Sequence, residues 1–277
     1  MGAIDHLAIV ALGADDARNG LLLSAEAHWN QNEDDWRFFL SKGTVFGVRD
    51  GDGRLIATAA LLPYTSNNAW ISMVLVTQNW RRRGLATRLL DACLEAARKQ
   101  SLTTWLDATP AGATVYGPLG FTPTLELRRL RFSGSTSPAT TESKPAPNSR
   151  LDDLIARDRS AMGFDRSALL RELGGRSGSQ LISHGSAMAL IRDGRAARQV
   201  GPLFADDVGS ATALIETIVQ SETSPILIDV VSEHGELLKN LTNSGWTIER
   251  PFQRMRFGRA ATRNVEPPFA VAGPEYG

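Results

Sequence analysis

Cysteine is almost missing from this chain: among 277 residues there is one, Cys93. A lone thiol excludes an internal disulfide framework and fits a reducing compartment. Long hydrophobic runs are missing as well, and no apolar stretch approaches the ~20 residues of a membrane span. Charge of one sign is not in excess, because thirty Lys+Arg balance thirty Asp+Glu. No global field therefore draws the protein to nucleic acid or to an anionic membrane. The opening Met-Gly-Ala-Ile-Asp-His has neither the basic nor the apolar region of a signal peptide, and His6 stands where a myristoylation motif has Ser or Thr. A cytoplasmic protein is expected. Neither the three-glycine dinucleotide fingerprint nor the Gly-Lys-Ser/Thr of a P-loop occurs, which disfavours those nucleotide sites.

What is present concentrates between Trp70 and Gln100. From Trp70 to Val76 only Ser72 is polar, the pattern of a strand buried on both faces. From Leu85 onward the apolar positions Leu85, Leu89, Leu90, Cys93, Leu94 and Ala97 follow helical spacing, while Arg88, Asp91, Glu95, Arg98 and Lys99 face away. The default role of Cys93 is packing. Between strand and helix lies Arg81-Arg82-Arg83-Gly84-Leu85-Ala86-Thr87. A helix start exposes unpaired N–H groups and the positive end of the dipole, and small residues there let an anion reach the backbone. The alternative is a solvated basic turn at the start of an ordinary helix.

Arg81-x-x-Gly84-x-Ala86 after the strand Val74-Leu75-Val76 resembles motif A of the GNAT superfamily of N-acetyltransferases. The resemblance implies acetyl-CoA as cosubstrate and no metal. It implies that the backbone of Arg81, Arg82, Arg83, Gly84, Leu85, Ala86 and Thr87 holds the pyrophosphate, and that Val74, Leu75 and Val76 hydrogen-bond the pantetheine arm. Two positions depart from the motif: Gln78 stands where many members have proline, and Ala86 replaces a glycine.

At 277 residues the chain suits two domains. Helices are expected from Asp15-Asp16-Ala17 through Leu23, and again from Asn32 or Glu33. The runs Thr44 to Val48 and Leu55 to Leu62 about Asp50-Gly51-Asp52-Gly53 predict a hairpin. Thr103 to Leu106 reads as a strand, and Pro110 opens a short helix capped by Thr109. Phe121 to Phe132 reads as two strand-like stretches. The resulting order is similar to GNAT proteins over roughly residues 3 to 133. Residues 134–149 carry Ser, Thr, Pro and Ala with hardly any large apolar side chain and read as a linker. Beyond it, Leu151 to Leu173 predicts a helix, Gln180 to Ile191 and Ala196 to Phe204 strands, and Asp206 to Gln220 a helix.

An internal repeat joins the halves. Gly120-Phe121-Thr122 followed by Arg129-Leu130-Arg131-Phe132 recurs as Gly245-Trp246-Thr247 and Arg254-Met255-Arg256-Phe257, and Trp105-Leu106-Asp107 has a counterpart in Leu227-Ile228-Asp229. A repeat of this length implies duplicated domains. The expectation is an α/β chain of two GNAT-like domains in tandem, each a mixed, mostly antiparallel twisted sheet flanked by helices, over residues 1–133 and 150–277. The cradle occurs only in the first copy. Where the second would carry it, Asp206 and Asp207 at a helix start would repel pyrophosphate, so the second domain is expected to be degenerate.

Acetyl transfer needs a neutral amine and a proton donor for the departing thiolate. Tyr116 in Tyr-Gly-Pro-Leu-Gly-Phe lines up with the family motif Tyr-x-x-x-Gly-Phe, whose tyrosine is often that acid; packing at a helix end is the alternative. No acid lies on Ala69 to Val76, and Asp107 is the nearest base candidate, against a structural role in capping the next turn. His28 and Trp29 fall in the region that covers the acceptor in GNAT folds. The expected function is N-acetylation of a primary amine on a small molecule or peptide. A non-enzymatic CoA-binding or sensing protein is the competing expectation, and the acceptor and oligomeric state stay open.

Overall fold

The computed structural model describes residues 6–134, 149–258 and 267–277, so most of the expected linker lies outside the described residues. The first half runs β1 (Ile9–Ala11), α1 (Ala17–Glu26), α2 (Glu33–Lys42), β2 (Thr44–Arg49), β3 (Leu55–Tyr64), β4 (Asn68–Val76), α3 (Leu85–Lys99), β5 (Thr103–Ala108), α4 (Pro110–Tyr116) and β6 (Thr122–Phe132). The second half runs α5 (Ser149–Met162), α6 (Ser167–Gly175), β7 (Gln180–His184), β8 (Ala187–Arg192), β9 (Arg198–Phe204), α7 (Val208–Ser221), β10 (Ile226–Val231), α8 (Gly235–Asn243) and β11 (Thr247–Phe257).

Local chemistry accounts for the boundaries. Asn32 caps α2 by accepting from the Asp35 amide at 3.1 Å, while Asp35 reaches back to the Asn32 amide at 2.9 Å. Thr109 caps α4 through the Gly112 amide, with Pro110 at the first helical position. The hairpin turn closes on Asp50, whose Oδ1 accepts from the amides of Asp52 and Arg54, and Gly53 takes the left-handed conformation at φ 78°. In the second half, the single helix expected over Leu151 to Leu173 is broken at Gly163 (φ 75°), and the strand expected over Gln180 to Ile191 turns at Gly185 (φ 58°).

All eleven strands form one sheet in the order β1-β2-β3-β4-β5-β11-β6-β10-β9-β8-β7. Each half has one parallel pair, β4 with β5 and β9 with β10, and every other pairing is antiparallel. The order shows that the halves exchange their last strands: β11 pairs with β5, and β6 pairs with β10. The expectation of two strands within Phe121 to Phe132 is corrected by this arrangement. Thr122–Phe132 is one unbroken strand, and its neighbour in the sheet comes from the other half. Eleven residues with no glycine or asparagine between them offer no site for a two-residue turn.

Two buried ion pairs mark the exchange. Arg254 faces Asp107 in register across β11 and β5, with Nε and Nη2 each 2.8 Å from a carboxylate oxygen. Arg129 faces Asp229 across β6 and β10 with the same two distances. The repeat thus pairs crosswise, each copy's aspartate with the other copy's arginine. On one sheet face α1, α2, α5 and α6 share a continuous core that includes Trp36, Phe39, Trp70, Leu154, Leu169 and Tyr276. On the other face the halves keep separate cores, under α3 and under α7 and α8, and Cys93 lies fully buried in the first.

Removing one member of a buried pair leaves a desolvated charge and typically costs about 3–5 kcal/mol. Arg254→Ala and Arg129→Ala are each expected to lose about that much in urea unfolding, and double-mutant cycles with Asp107 and Asp229 should show coupling above about 1 kcal/mol. Changes below about 1 kcal/mol would mean that the pairs do not hold the exchanged strands.

Candidate functional site

The site begins where β4 and β5 stop pairing. They are joined at Asn68 with Thr103, Ala69 with Thr104 and Trp70 with Trp105, and then diverge. Within the same stretch β4 carries a bulge against β3, with Met73 at φ 52° and its carbonyl accepting the Thr58 hydroxyl at 2.8 Å. A bulge bends its strand and frees backbone groups from the ladder. The parted strands open a cleft of about 650 Å³ that includes its open mouth.

Ile71, Ser72, Met73 and Val74 form one wall, Leu106 to Thr109 and Tyr116 another. Trp29 and Gln31 close it from the connection between α1 and α2. The remaining surface comes from the far half: Arg129 on the exchanged β6, Arg250 and Phe252 on β11, and Pro274 and Glu275 from the last described segment. That segment is fixed by Trp70 Nε1 donating to the Pro274 carbonyl at 3.0 Å, and by the Tyr276 hydroxyl donating to Asp35 at 2.7 Å.

Beyond Val76 the chain reaches the basic turn. Arg81, Arg82 and Arg83 are exposed; Arg81 Nε donates to the Val76 carbonyl at 3.0 Å, and Arg83 lies over the Trp80 ring. Gly84 is the N-cap of α3 in the left-handed conformation, φ 88° and ψ −1°. No side chain caps α3 and no acid occupies its first turn, so the amides of Leu85, Ala86 and Thr87 begin the helix beside three cations. The equivalent helix of the second half, α7, is capped by Asp207, whose carboxylate accepts the Ser210 amide at 2.7 Å.

The parallel pair of the second half also separates, and there the chain fills its own gap. Beyond Ile228 and Val200, residues 269–271 run between β9 and β10: Leu203 exchanges bonds with Phe269 and Ala270, Val231 donates to Phe269, and Val271 donates to Asp229. Phe269, Ala270 and Val271 are buried, and a Cβ at Gly201 would stand 1.9 Å from the Val271 carbonyl oxygen.

Of the residues singled out by sequence, Val74, Asp107, Tyr116 and Trp29 line the cleft. Leu75 points into the core, and His28 is exposed at φ 56° outside the cleft lining. Asp107 does not cap the following turn, a task taken by Thr109; both its oxygens engage Arg254. Burial pushes the Asp107 carboxyl upward, with Arg254 acting against the shift. Burial also pushes the Tyr116 phenol up to about 12. Glu275, paired with Arg192 at 3.1 Å, is likewise raised by burial. Gln31, Arg129, Arg250, Phe252 and Glu275 have no local motif that marks them, because the cleft gathers them from distant parts of the chain.

Comparison with known proteins places both halves in one family. A sequence profile described as "Acetyltransferase (GNAT) family" matches residues 15–121, and one described as "Acetyltransferase (GNAT) domain" matches residues 154–267. The chain is similar to the "Uncharacterized N-acetyltransferase YitH" of Bacillus subtilis, 26% identical over 255 residues and 89% of each chain. A solved protein of Pyrococcus horikoshii shares the fold at TM-score 0.78 with 18% identity, covering 99% of this chain and 96% of that one. A "Tandem GNAT protein from the clavulanic acid biosynthesis pathway" shares it at TM-score 0.64 with 17% identity, over 92% of this chain and 100% of that one. With one GNAT match in each half and a full-length N-acetyltransferase relative, the chain belongs to the GNAT family of acetyltransferases, carries two of its domains in tandem, and is an acyltransferase enzyme.

Proposed function

We propose that the enzyme is an acetyl-CoA-dependent N-acetyltransferase with one active site, the cleft of the first half, acting on a primary amine of a small molecule or peptide. The observation that carries this reading is the contrast between the halves. In the first, a parted strand pair leads to an uncapped, glycine-started helix; in the second, the gap holds residues 269–271 and the helix start holds Asp207.

The residues present fit acetyl-CoA. The first-turn amides of α3 and the guanidinium groups of Arg81, Arg82 and Arg83 would hold the pyrophosphate, and the edge at Val74 to Val76 that β5 leaves unpaired, its Val76 carbonyl held by Arg81, would pair with the extended arm. When bound, acetyl-CoA supplies the acyl donor as a thioester. Tyr116 keeps a proton on Oη far into the alkaline range and offers it toward a departing thiolate. Asp107 acts in this reading through Arg254, positioning β11 and not accepting a proton, since both its oxygens are engaged. Trp29 belongs to the acceptor wall, whereas His28 has no place in it. The domain units proposed are 1–133 and 150–277, completed by exchange of β6 and β11. No helix among the described residues is long and apolar enough to cross a membrane. The cytoplasmic reading rests on the buried free Cys93, and balanced charge argues against a nucleic-acid partner.

Gly84→Val should weaken acetyl-CoA binding about tenfold or more, because a β-branched residue is strained at φ 88° and its side chain crowds the amides. Calorimetry checks it, and unchanged affinity would remove the cradle from the reading.

Tyr116→Phe should lower kcat about 10²–10³-fold with little change in acetyl-CoA affinity. Because the phenol is raised to about 12, its acid form persists through pH 10, and the wild-type rate should show no alkaline limb from this group until the pH nears 12. A loss of rate centred near the ordinary phenol value of about 10, absent from Tyr116→Phe, would contradict the upward shift, and a rate unchanged in Tyr116→Phe would remove the general-acid role.

A further inference from the structure

We propose that the acceptor is a small primary amine that also carries a carboxylate, and that Arg250 receives that carboxylate. The inference rests on the acetyltransferase reading of the same cleft and names the substrate class it takes.

The charges around the cleft carry the argument. Asp107, Arg129, Arg250 and Glu275 line it. Asp107 is matched by Arg254, Arg129 by Asp229 and Glu275 by Arg192. Among the described residues Arg250 has no carboxylate within ion-pair distance, and its buried Nε has no hydrogen-bond partner within the protein. Its neighbour Glu249 is engaged by Arg131. An arginine cannot shed its charge at physiological pH, so a half-buried guanidinium without a partner is stabilised by an anion beside it. Burial, and then the charge of Arg129, press the Arg250 cation in the unfavourable direction; Asp229 and Glu249 offset this only in part, and a bound anion would add to them.

Geometry holds the group ready. The Phe252 ring has the Arg129 guanidinium carbon 5.3 Å from its centroid and that of Arg250 at 5.4 Å, so both cations pack on one aromatic ring. Two further buried atoms of the same cleft lack protein partners, Gln31 Oε1 and Ser72 Oγ. An orphaned donor and two orphaned acceptor-capable atoms match a ligand that presents acceptor oxygens at one end and N–H donors at the other. One unmatched cation balances one negative charge, which favours a carboxylate over a phosphate dianion.

The internal repeat supplies an independent comparison. At the offset that aligns Arg129 with Arg254, Arg250 aligns with Leu125. Leu125 packs on the apolar cluster of Leu127, Val231, Phe252 and Val271, which reaches from the Phe252 ring to the last segment in the second gap. Where the chain occupies its own cleft the position is leucine, and where the cleft is open it is arginine.

The test sets primary L-α-amino acids and β-alanine against their decarboxylated amines. Binding in the presence of CoA is measured by calorimetry, and acetylation by CoA release. The carboxylate-bearing member should be preferred about tenfold or more in kcat/KM for at least one pair. Arg250→Met should collapse that ratio toward one and Arg250→Lys should restore part of it, with acetyl-CoA affinity reporting that each variant is folded. Equal rates within every pair, a preference kept by Arg250→Met, or no carboxylate-bearing amine binding below about 10 mM would overturn the inference. Acetylation of decarboxylated amines without a role for Arg250 would leave the acetyltransferase reading standing and sink this one. Binding of carboxylates that depends on Arg250, without CoA release from any amine, would do the reverse.

Discussion

Two reciprocal ion pairs, Asp107 with Arg254 and Asp229 with Arg129, tie each half of the chain to a strand that belongs to the other. Burying four charges is unfavourable unless each is matched and its hydrogen bonds are made, and here each guanidinium meets its carboxylate through two 2.8 Å contacts. Alternation alone would tolerate a slip of β11 against β5 by two residues, which keeps every side chain on its own face. A bidentate pair inside the sheet tolerates a single register, because such a slip would part the arginine from its carboxylate and leave the aspartate alone. The exchange therefore acts as a register lock as well as a link, and neither half can complete its sheet alone.

The same duplication explains why one structural opening has two outcomes. In each half a parallel pair starts joined and then separates, β4 from β5 and β9 from β10. An opened sheet leaves backbone donors and acceptors that need partners. In the second half residues 269–271 provide them from the chain itself, with bonds to Leu203, Val231 and Asp229. Gly201 is required there because any side chain would collide with the Val271 carbonyl. In the first half the last segment contributes Pro274 and Glu275 to the lining, and the gap stays open. One stretch of eleven residues thus closes one cleft and shapes the other.

What the sequence disclosed follows from how local each signal is. The apolar face of α3, the caps at Asn32 and Thr109 and the Asp50 to Gly53 turn are fixed by neighbours a few residues away, and they appear in the structure as read. The glycine-started helix with its three arginines is local too, so that part of the candidate site could be read from neighbouring residues. The exchange was not. A strand that pairs within its own half and one that crosses to the other have the same alternation, and only three-dimensional packing decides between them. The insertion of residues 269–271 was invisible for a similar reason, since a short apolar segment has no period of its own. Asp107 shows the cost of reading locally: a base or a cap of the next turn were the roles weighed for it, while its partner stands 147 residues away.

The far half's contribution to the cleft depends on the exchange in a direct way. Arg250 sits on β11 four residues before Arg254, and the lock of Arg254 on Asp107 sets where β11 lies against β5. Four residues along a strand return the side chain to the same face. The pair that fixes the register therefore also fixes on which face, and how far along the opened strands, Arg250 presents its guanidinium. Arg129 arrives by the equivalent route on β6, held by Asp229, and stands opposite Arg250 in the pairing of β6 with β11, both against the Phe252 ring. Like charges brought together, one buried and one half-buried, are unfavourable in isolation. Their juxtaposition follows from the two locks that close the fold, so the strain of an unmatched cation falls at the point where both halves and the open cleft meet.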